Sequence, residues 1–164
     1  MARWATSVPT WTPVAVADTV NYTANGYHAL LGGSSTQRLE IREIYLGGQA
    51  GASTPNILVF GRDSTVGATL TAARNAALDP ATAALAAPPL PFITATTQPQ
   101  RSATLGMLLN LSFNSFGGVV RWVNGPDEII SSLGNTASLG ELSINAFTGG
   151  TPGLLGSNIV YESL

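Results

Sequence analysis

Cysteine and lysine are both missing from this chain of 164 residues, and histidine occurs once. Without cysteine there is no disulfide framework, no thiolate metal site and no cysteine nucleophile. Charge is scarce too: 10% of residues are charged, against about 25% in a usual soluble domain. The net charge of −2 excludes strong electrostatic binding to nucleic acid, which needs a basic patch. No run approaches the ~18 apolar residues of a membrane span, because Pro88, Pro89 and Pro91 break the longest one, Ala83 to Ile93. The N-terminus has one Arg and no continuous apolar stretch, so no secretory signal is expected. A soluble protein made in the cytoplasm follows, with no membrane partner and no nucleic acid.

What is present is apolar and neutral. Residues of the AVILMFWYC set make up 45% of the chain, enough for one domain with a proper core. Polar groups at the surface must come from Thr, Ser, Asn, Gln and backbone. Either partner subunits cover much of that surface, or the composition follows from a GC-rich genome; both readings stay open.

The clearest pattern runs from Leu105 to Val123. Leu105, Met107, Leu109, Leu111 and Phe113 alternate with polar Asn110, Ser112 and Asn114, a period of two that predicts a half-buried strand. Ser115 to Gly118 supplies a turn and Val119 to Val123 a second strand. The pair predicts a hairpin at the centre of the domain, with Leu109, Leu111 and Phe113 buried.

The remaining segments predict more strands. Residues 1–13 read as an extended N-terminal arm, because Pro9 and Pro13 forbid a helix. Trp4 and Trp11 anchor that arm, on its own domain or on a neighbour. The domain proper then spans residues 14–164. Val14 to Val20 is a short strand, and the Asn25-Gly26 turn leads to a return strand at Tyr27 to Leu31. Arg38 to Leu46 is a strong strand whose inward phase slips between Arg42 and Glu43, which predicts a β-bulge there. Ile57 to Phe60 follows, closed by Arg62-Asp63-Ser64.

The connection 63–104, rich in Pro, Ala and Thr, predicts a short helix at Thr69 to Leu78 ended by Asp79-Pro80 and otherwise irregular, largely extended chain. Glu128 to Leu133, Leu142 to Ala146 and Asn158 to Ser163 complete the strands. The class is all-β: a single-domain antiparallel β-sandwich or jelly roll with an extended arm and one long connection.

No constellation for chemistry accompanies these strands, so the chain reads as a non-enzyme without cofactor or metal. A Ser-His-Asp triad requires His28 as its base, and no G-x-S-x-G elbow is present; a lone His beside Tyr27 reads as structural. Asp127-Glu128 are neighbours that a strand points to opposite faces. Glu40 and Glu43 lie beside Arg38 and Arg42, which neutralise them. The pairs Gly47-Gly48, Gly117-Gly118 and Gly149-Gly150 match no phosphate or dinucleotide loop. Arg121 and Trp122 form either a stacking surface for sugar or nucleic acid, or a core Trp beside an outward Arg; the second reading is preferred.

The strand LEIREIYLGGQA, the long connection containing LDP, the FNSFGGVVRW segment, the GPDEII return and the closing NIVYES together resemble the capsid decoration (cement) proteins of tailed bacteriophages. The resemblance spans roughly residues 38–163. It implies a compact β-domain, a homotrimer, a major capsid protein as partner, and a place on the capsid exterior of the virion where it clamps capsomers. The arm and the connection would then carry the interface, through Trp4, Trp11, Pro88, Pro89 and Phe92. A receptor- or glycan-binding β-module of a tail or fibre is the alternative, with Trp4, Trp11, Trp122 and the Tyr side chains as its binding face.

Overall fold

The computed structural model describes residues 2–72 and 74–164. The first strands are β1 (Arg3–Trp11), β2 (Ala15–Val16), β3 (Tyr27–Leu31), β4 (Arg38–Gly48), β5 (Pro55–Asn56) and β6 (Leu58–Thr65). Next come β7 (Ala68–Ala72), β8 (Arg74–Ala77), β9 (Leu90–Thr97), β10 (Gln100–Arg101) and β11 (Met107–Asn110). The last are β12 (Phe113–Asn114), β13 (Val119–Val123), β14 (Ile130–Leu133), β15 (Glu141–Phe147) and β16 (Leu155–Ser163). Among the described residues there is no helix.

Two sheets form a β-sandwich. The first has the order β13-β4-β16-β1-β8, with β14 continuing the β13 edge along β4. The second has the order β10-β6-β15-β3-β9-β7, with β11 beside β10 on the outer edge of β6. Strand β2 adds to the end of β15 in parallel, and β12 pairs with β5 as a separate ribbon.

The main core lies between the sheets. Leu39, Ile41, Ile44 and Leu46 of β4 and Ile159 and Tyr161 of β16 meet Leu58 and Phe60 of β6 and Leu142 and Ile144 of β15. A second core covers the opposite face of the second sheet, where Tyr27, Ala29 and Leu31 pack with Val16, Tyr22, Phe92 and Ala95. The central strands of the second sheet, β3 and β15, are therefore buried on both faces, and β3 has no exposed residue.

The bulge in β4 is where the phase slip places it. Glu43 pairs with Val160 and Ile41 with Tyr161, so Arg42 is the extra residue. It lets Leu39 and Ile41 share the core with Ile44 and Leu46 despite their different parity. Asn25 adopts φ 61 ahead of Gly26, which is the turn chemistry expected there.

Four expectations need correction. Residues 3–11 are extended, but as strand β1 inside the first sheet, paired with β16 on one side and β8 on the other. They bury Val8 and Trp11 instead of projecting. The helix expected at 69–78 is not found in its described residues: 69–72 belong to β7, which pairs β9 in one sheet, and 74–77 are β8, which pairs β1 in the other, while residue 73 lies outside the described residues. Open strand edges there outweigh the modest helix preference of Ala and Leu. The connection 63–104 is largely extended, as expected, but much of it is in paired strands, β7 to β10 and the end of β6, with residues 78–89 left outside them.

The central hairpin does not form either. Strand β11 pairs β6 of the second sheet, whereas β13 pairs β4 of the first. The chain crosses between layers at Leu111 to Gly118, at the rim of the sandwich. Leu111 is buried, but Leu109 and Phe113 are only half-buried.

Strand β11 approaches β6 so closely that a Cβ at Gly61 would overlap the carbonyl oxygen of Gly106. That oxygen also accepts from the Arg62 amide at 2.9 Å. Gly61→Ala is expected to cost about 1–3 kcal/mol by forcing this backbone apart. Urea denaturation checks it, and an unchanged midpoint would refute the close approach.

Candidate functional site

Burying both faces of the central strands of the second sheet has a chemical consequence. Glu141, Ser143 and Asn145 of β15 alternate with Leu142, Ile144 and Ala146, a pattern that normally sends the polar set to water. Here the polar set points into the second core, and all three residues are buried. Asp63 of β6 and Arg101 of β10 join them with almost no exposure, as does Tyr22 from the segment before β3.

These side chains form one network. The Tyr22 hydroxyl donates to Asp63 Oδ1 at 2.5 Å, and the Ser143 hydroxyl donates to the same oxygen at 3.0 Å. The Asn145 amide donates to Ser143 Oγ at 3.1 Å. Arg101 donates to Asn145 Oδ1 and, at 3.0 Å, to Asp18 Oδ1. Its guanidinium lies 5.1 Å from the Phe147 ring centre, within cation–π range. Glu141 Oε2 accepts from the Gly67 amide at 2.9 Å. Aromatic rings wall the cluster: Tyr22 lies 5.3 Å from Tyr27, and Tyr27 meets Phe92 edge-on at 5.7 Å.

Burial raises the Asp63 carboxyl to about 7, although hydrogen bonds from Glu141, Tyr22 and Ser143 pull the other way. Burial, together with the neighbouring Asp63, pushes Glu141 well above the usual carboxyl range. Burial and the same Asp63 also hold the Tyr22 hydroxyl well above its ordinary value. With no exposure, neither carboxyl touches a substrate in this conformation.

His28 sits on the other face of the sheet, between the two layers. Its Nδ1 is 2.9 Å from Ser157 Oγ and its Nε2 is 3.3 Å from Thr6 Oγ1. The Trp11 indole donates to the same Ser157 oxygen at 2.9 Å. Burial lowers the His28 pKa to about 3, so the ring is neutral and structural, as expected of a lone core histidine.

The exposed feature is an apolar seam along the rim where β11, β13 and β14 leave both sheets unpaired at one side. A cleft of about 310 Å³ is lined by Leu108, Leu109, Trp122, Ile129 and Ile130. A second, of about 360 Å³, runs on the other side of β11 past Met107 to Ile57 and Phe147. Met107 in one cleft is 58% exposed and Ile129 in the other 54%, and Leu108 and Leu109 line both, so exposed apolar side chains meet here instead of standing singly.

The residues expected to carry an interface are not brought together here. Trp11 and Phe92 are core residues, and Pro89 is buried. Trp4 is half-buried against the main core, and Pro88 alone is exposed. Trp122 is half-buried against that core while Arg121 lies outside, 5.0 Å from the Tyr45 ring. The three Trp side chains thus form no common exposed face. Arg38 and Arg42 do reach Glu40, but Glu43 pairs with Arg121 and accepts from Tyr45.

Reasoning from local pattern misses the buried network because its members lie far apart in sequence, Asp18, Asp63, Arg101 and Glu141, and each looks like a surface residue. No family model matches the chain, and neither a curated protein nor a solved structure does.

Two outcomes follow from this geometry. Tyr22→Phe removes a donor to a buried carboxyl and is expected to cost about 1.5–3 kcal/mol in chemical denaturation; a loss under 0.5 kcal/mol would mean that the 2.5 Å contact contributes little. For His28 the folded pKa lies below the ordinary 6.5, so the folded state binds fewer protons. Its contribution is present above about pH 6.5 and is lost toward pH 3 at about 1.4 kcal/mol per unit. Comparing His28→Gln with the parent across that window should show this slope removed; parallel profiles would exclude it.

Proposed function

We propose that this chain is a structural virion protein, a decoration protein that binds the outer surface of a tailed-phage capsid as a homotrimer and stabilises contacts between capsomers. The apolar seam is the observation that carries this reading. Exposed Met107 and Ile129, each in one of two clefts that share half-buried Leu108 and Leu109, suit burial against another protein chain. Fully burying one such side chain contributes about 1.5–3 kcal/mol.

The charge arrangement supports the same reading. Of seven Arg residues, Arg3, Arg38, Arg42, Arg101 and Arg121 are already engaged with carboxylates of the same chain. A surface whose charges neutralise one another packs against a neutral partner with little desolvation cost. The resemblance of residues 38–163 to decoration proteins supplies the kind of partner, a major capsid protein. The working surface moves from the N-terminal strand and the connection to the seam, because Trp11 and Phe92 are internal.

The purified chain is expected to sediment at three times its 16.9 kDa mass and to bind capsids assembled without it, raising their resistance to heat. Met107→Asp combined with Ile129→Asp should abolish binding and leave the circular dichroism unchanged. A parent chain that neither self-associates nor binds capsids would sink the proposal.

A further inference from the structure

The two buried carboxyls each keep one oxygen without a partner: Asp63 Oδ2 and Glu141 Oε1. Each of their other oxygens is occupied, Asp63 Oδ1 by two hydroxyls and Glu141 Oε2 by the Gly67 amide. Asp63 and Glu141 stand opposite each other on neighbouring strands, one step beyond the Arg62–Leu142 pair of β6 and β15. An orphaned acceptor in a dry interior costs about 1–3 kcal/mol, more when charged. Two orphans facing each other are both satisfied by a single proton.

We propose that the second core is closed by one proton that Glu141 Oε1 donates to Asp63 Oδ2, and that losing it in alkaline solution releases residues 17–26 from the curled sheet. This inference rests on the interior alone and is independent of the virion reading.

The proton belongs to Glu141 for a reason of surroundings. Asp63 accepts two hydroxyl donors and feels the Arg101 charge, all of which favour a carboxylate. Glu141 has one backbone donor and the Asp63 charge beside it. The other titratable and charged groups facing the pair are Tyr22 and Asp18 from the segment before β3, Tyr27 from β3 and Arg101 from β10. Arg101 is the one cation among these groups, and it is shared with Asp18 and Asn145. It cannot neutralise a second carboxylate as well.

The released element follows from the bonding. Asp63 and Glu141 stand on β6 and β15, which pair with each other over five residues and with further strands outside. Residues 17–26 pair with no strand along their length and are held by separate contacts: Tyr22 N to Pro99 O at 2.8 Å, Asn25 N to Ile93 O at 2.8 Å, Val14 N to Gly26 O at 3.2 Å, the Asp18–Arg101 pair, the Asn21–Gln100 bridge, and the Tyr22 ring in the second core with its hydroxyl on Asp63 and Ser143. Charge repulsion at the pair is relieved most cheaply by lifting this segment and admitting water. The sign is fixed: the folded state holds a proton that the unfolded state gives up near an ordinary carboxyl value. The contribution is therefore fully present below the ordinary carboxyl range and is lost as pH rises from there through the raised value of Glu141.

The test uses the full chain. Infrared spectra in heavy water at about pH 6, where exposed carboxyls are ionised, should show a protonated-carboxyl band that Glu141→Gln lacks. Amide hydrogen exchange of residues 17–26 should accelerate by about tenfold beyond intrinsic base catalysis between about pH 6 and pH 9. Glu141→Gln should suppress that acceleration, since its amide still donates to Asp63 without titrating. Absence of the band in the parent overturns the proposal even if the variant fails to fold. So does equal acceleration in parent and variant, or loss of the band on adding calcium, which would place a cation between the carboxyls instead.

Discussion

The central strands of the second sheet, β3 and β15, have water on neither face, and most of what is unusual in this molecule follows from that. A sandwich with one solvated face per sheet sorts its residues by simple alternation. Here β3, β15 and the start of β6 lie between two cores, so every side chain on them needs an internal partner. The apolar ones find it by packing. The polar ones find it in the chain Tyr22–Asp63–Ser143–Asn145–Arg101. Half-satisfied buried networks are costly, and the only loose ends of the carboxyl pair are two oxygens that one proton joins.

The same constraint sorts what could be read from the residues. Strand β4 was legible down to its bulge because the first sheet keeps one face outward, where Arg42, Glu40 and Glu162 meet as ion pairs. Strands β3 and β16 were legible from turn chemistry and alternation. In β15 the strand was legible and its environment was not, because alternation says which residues share a face and nothing about what covers it. The Leu105–Val123 stretch failed differently. Its alternation and its turn are real, with Gly117 at φ 69 and the Gly118 amide bonded to Asn114, but a local pattern cannot say that successive strands join different sheets. The N-terminal strand and β7–β8 failed for the same reason: each pairs with a partner distant in sequence.

Opposite sides of the second sheet also carry opposite linkages. His28 faces the main core as a neutral ring and weakens the fold as pH falls. Asp63 and Glu141 face the second core with an extra proton and weaken it as pH rises. Over acid pH the two contributions oppose and partly cancel, while above neutrality the carboxyls act alone. Maximum stability therefore lies near the middle of the range, set by two buried sites and not by the sparse surface charge.

Strand β6 ties these layers to the seam. Its Asp63 belongs to the closed interior, while Phe60 and Gly61 carry β11 on the outer edge and Arg62 N bonds to Gly106 O at 2.9 Å. Events at the carboxyl pair reach the seam through β6 or through Arg101, whose side chain lies against Gly106 just ahead of β11. Strand β6 is braced against movement by β15 along its other edge and by Leu58 and Phe60 in the main core. Residues 17–26 are braced mainly by Tyr22 in the second core. The interior can thus open at residues 17–26 while β6, paired along both edges, holds the apolar rim in place.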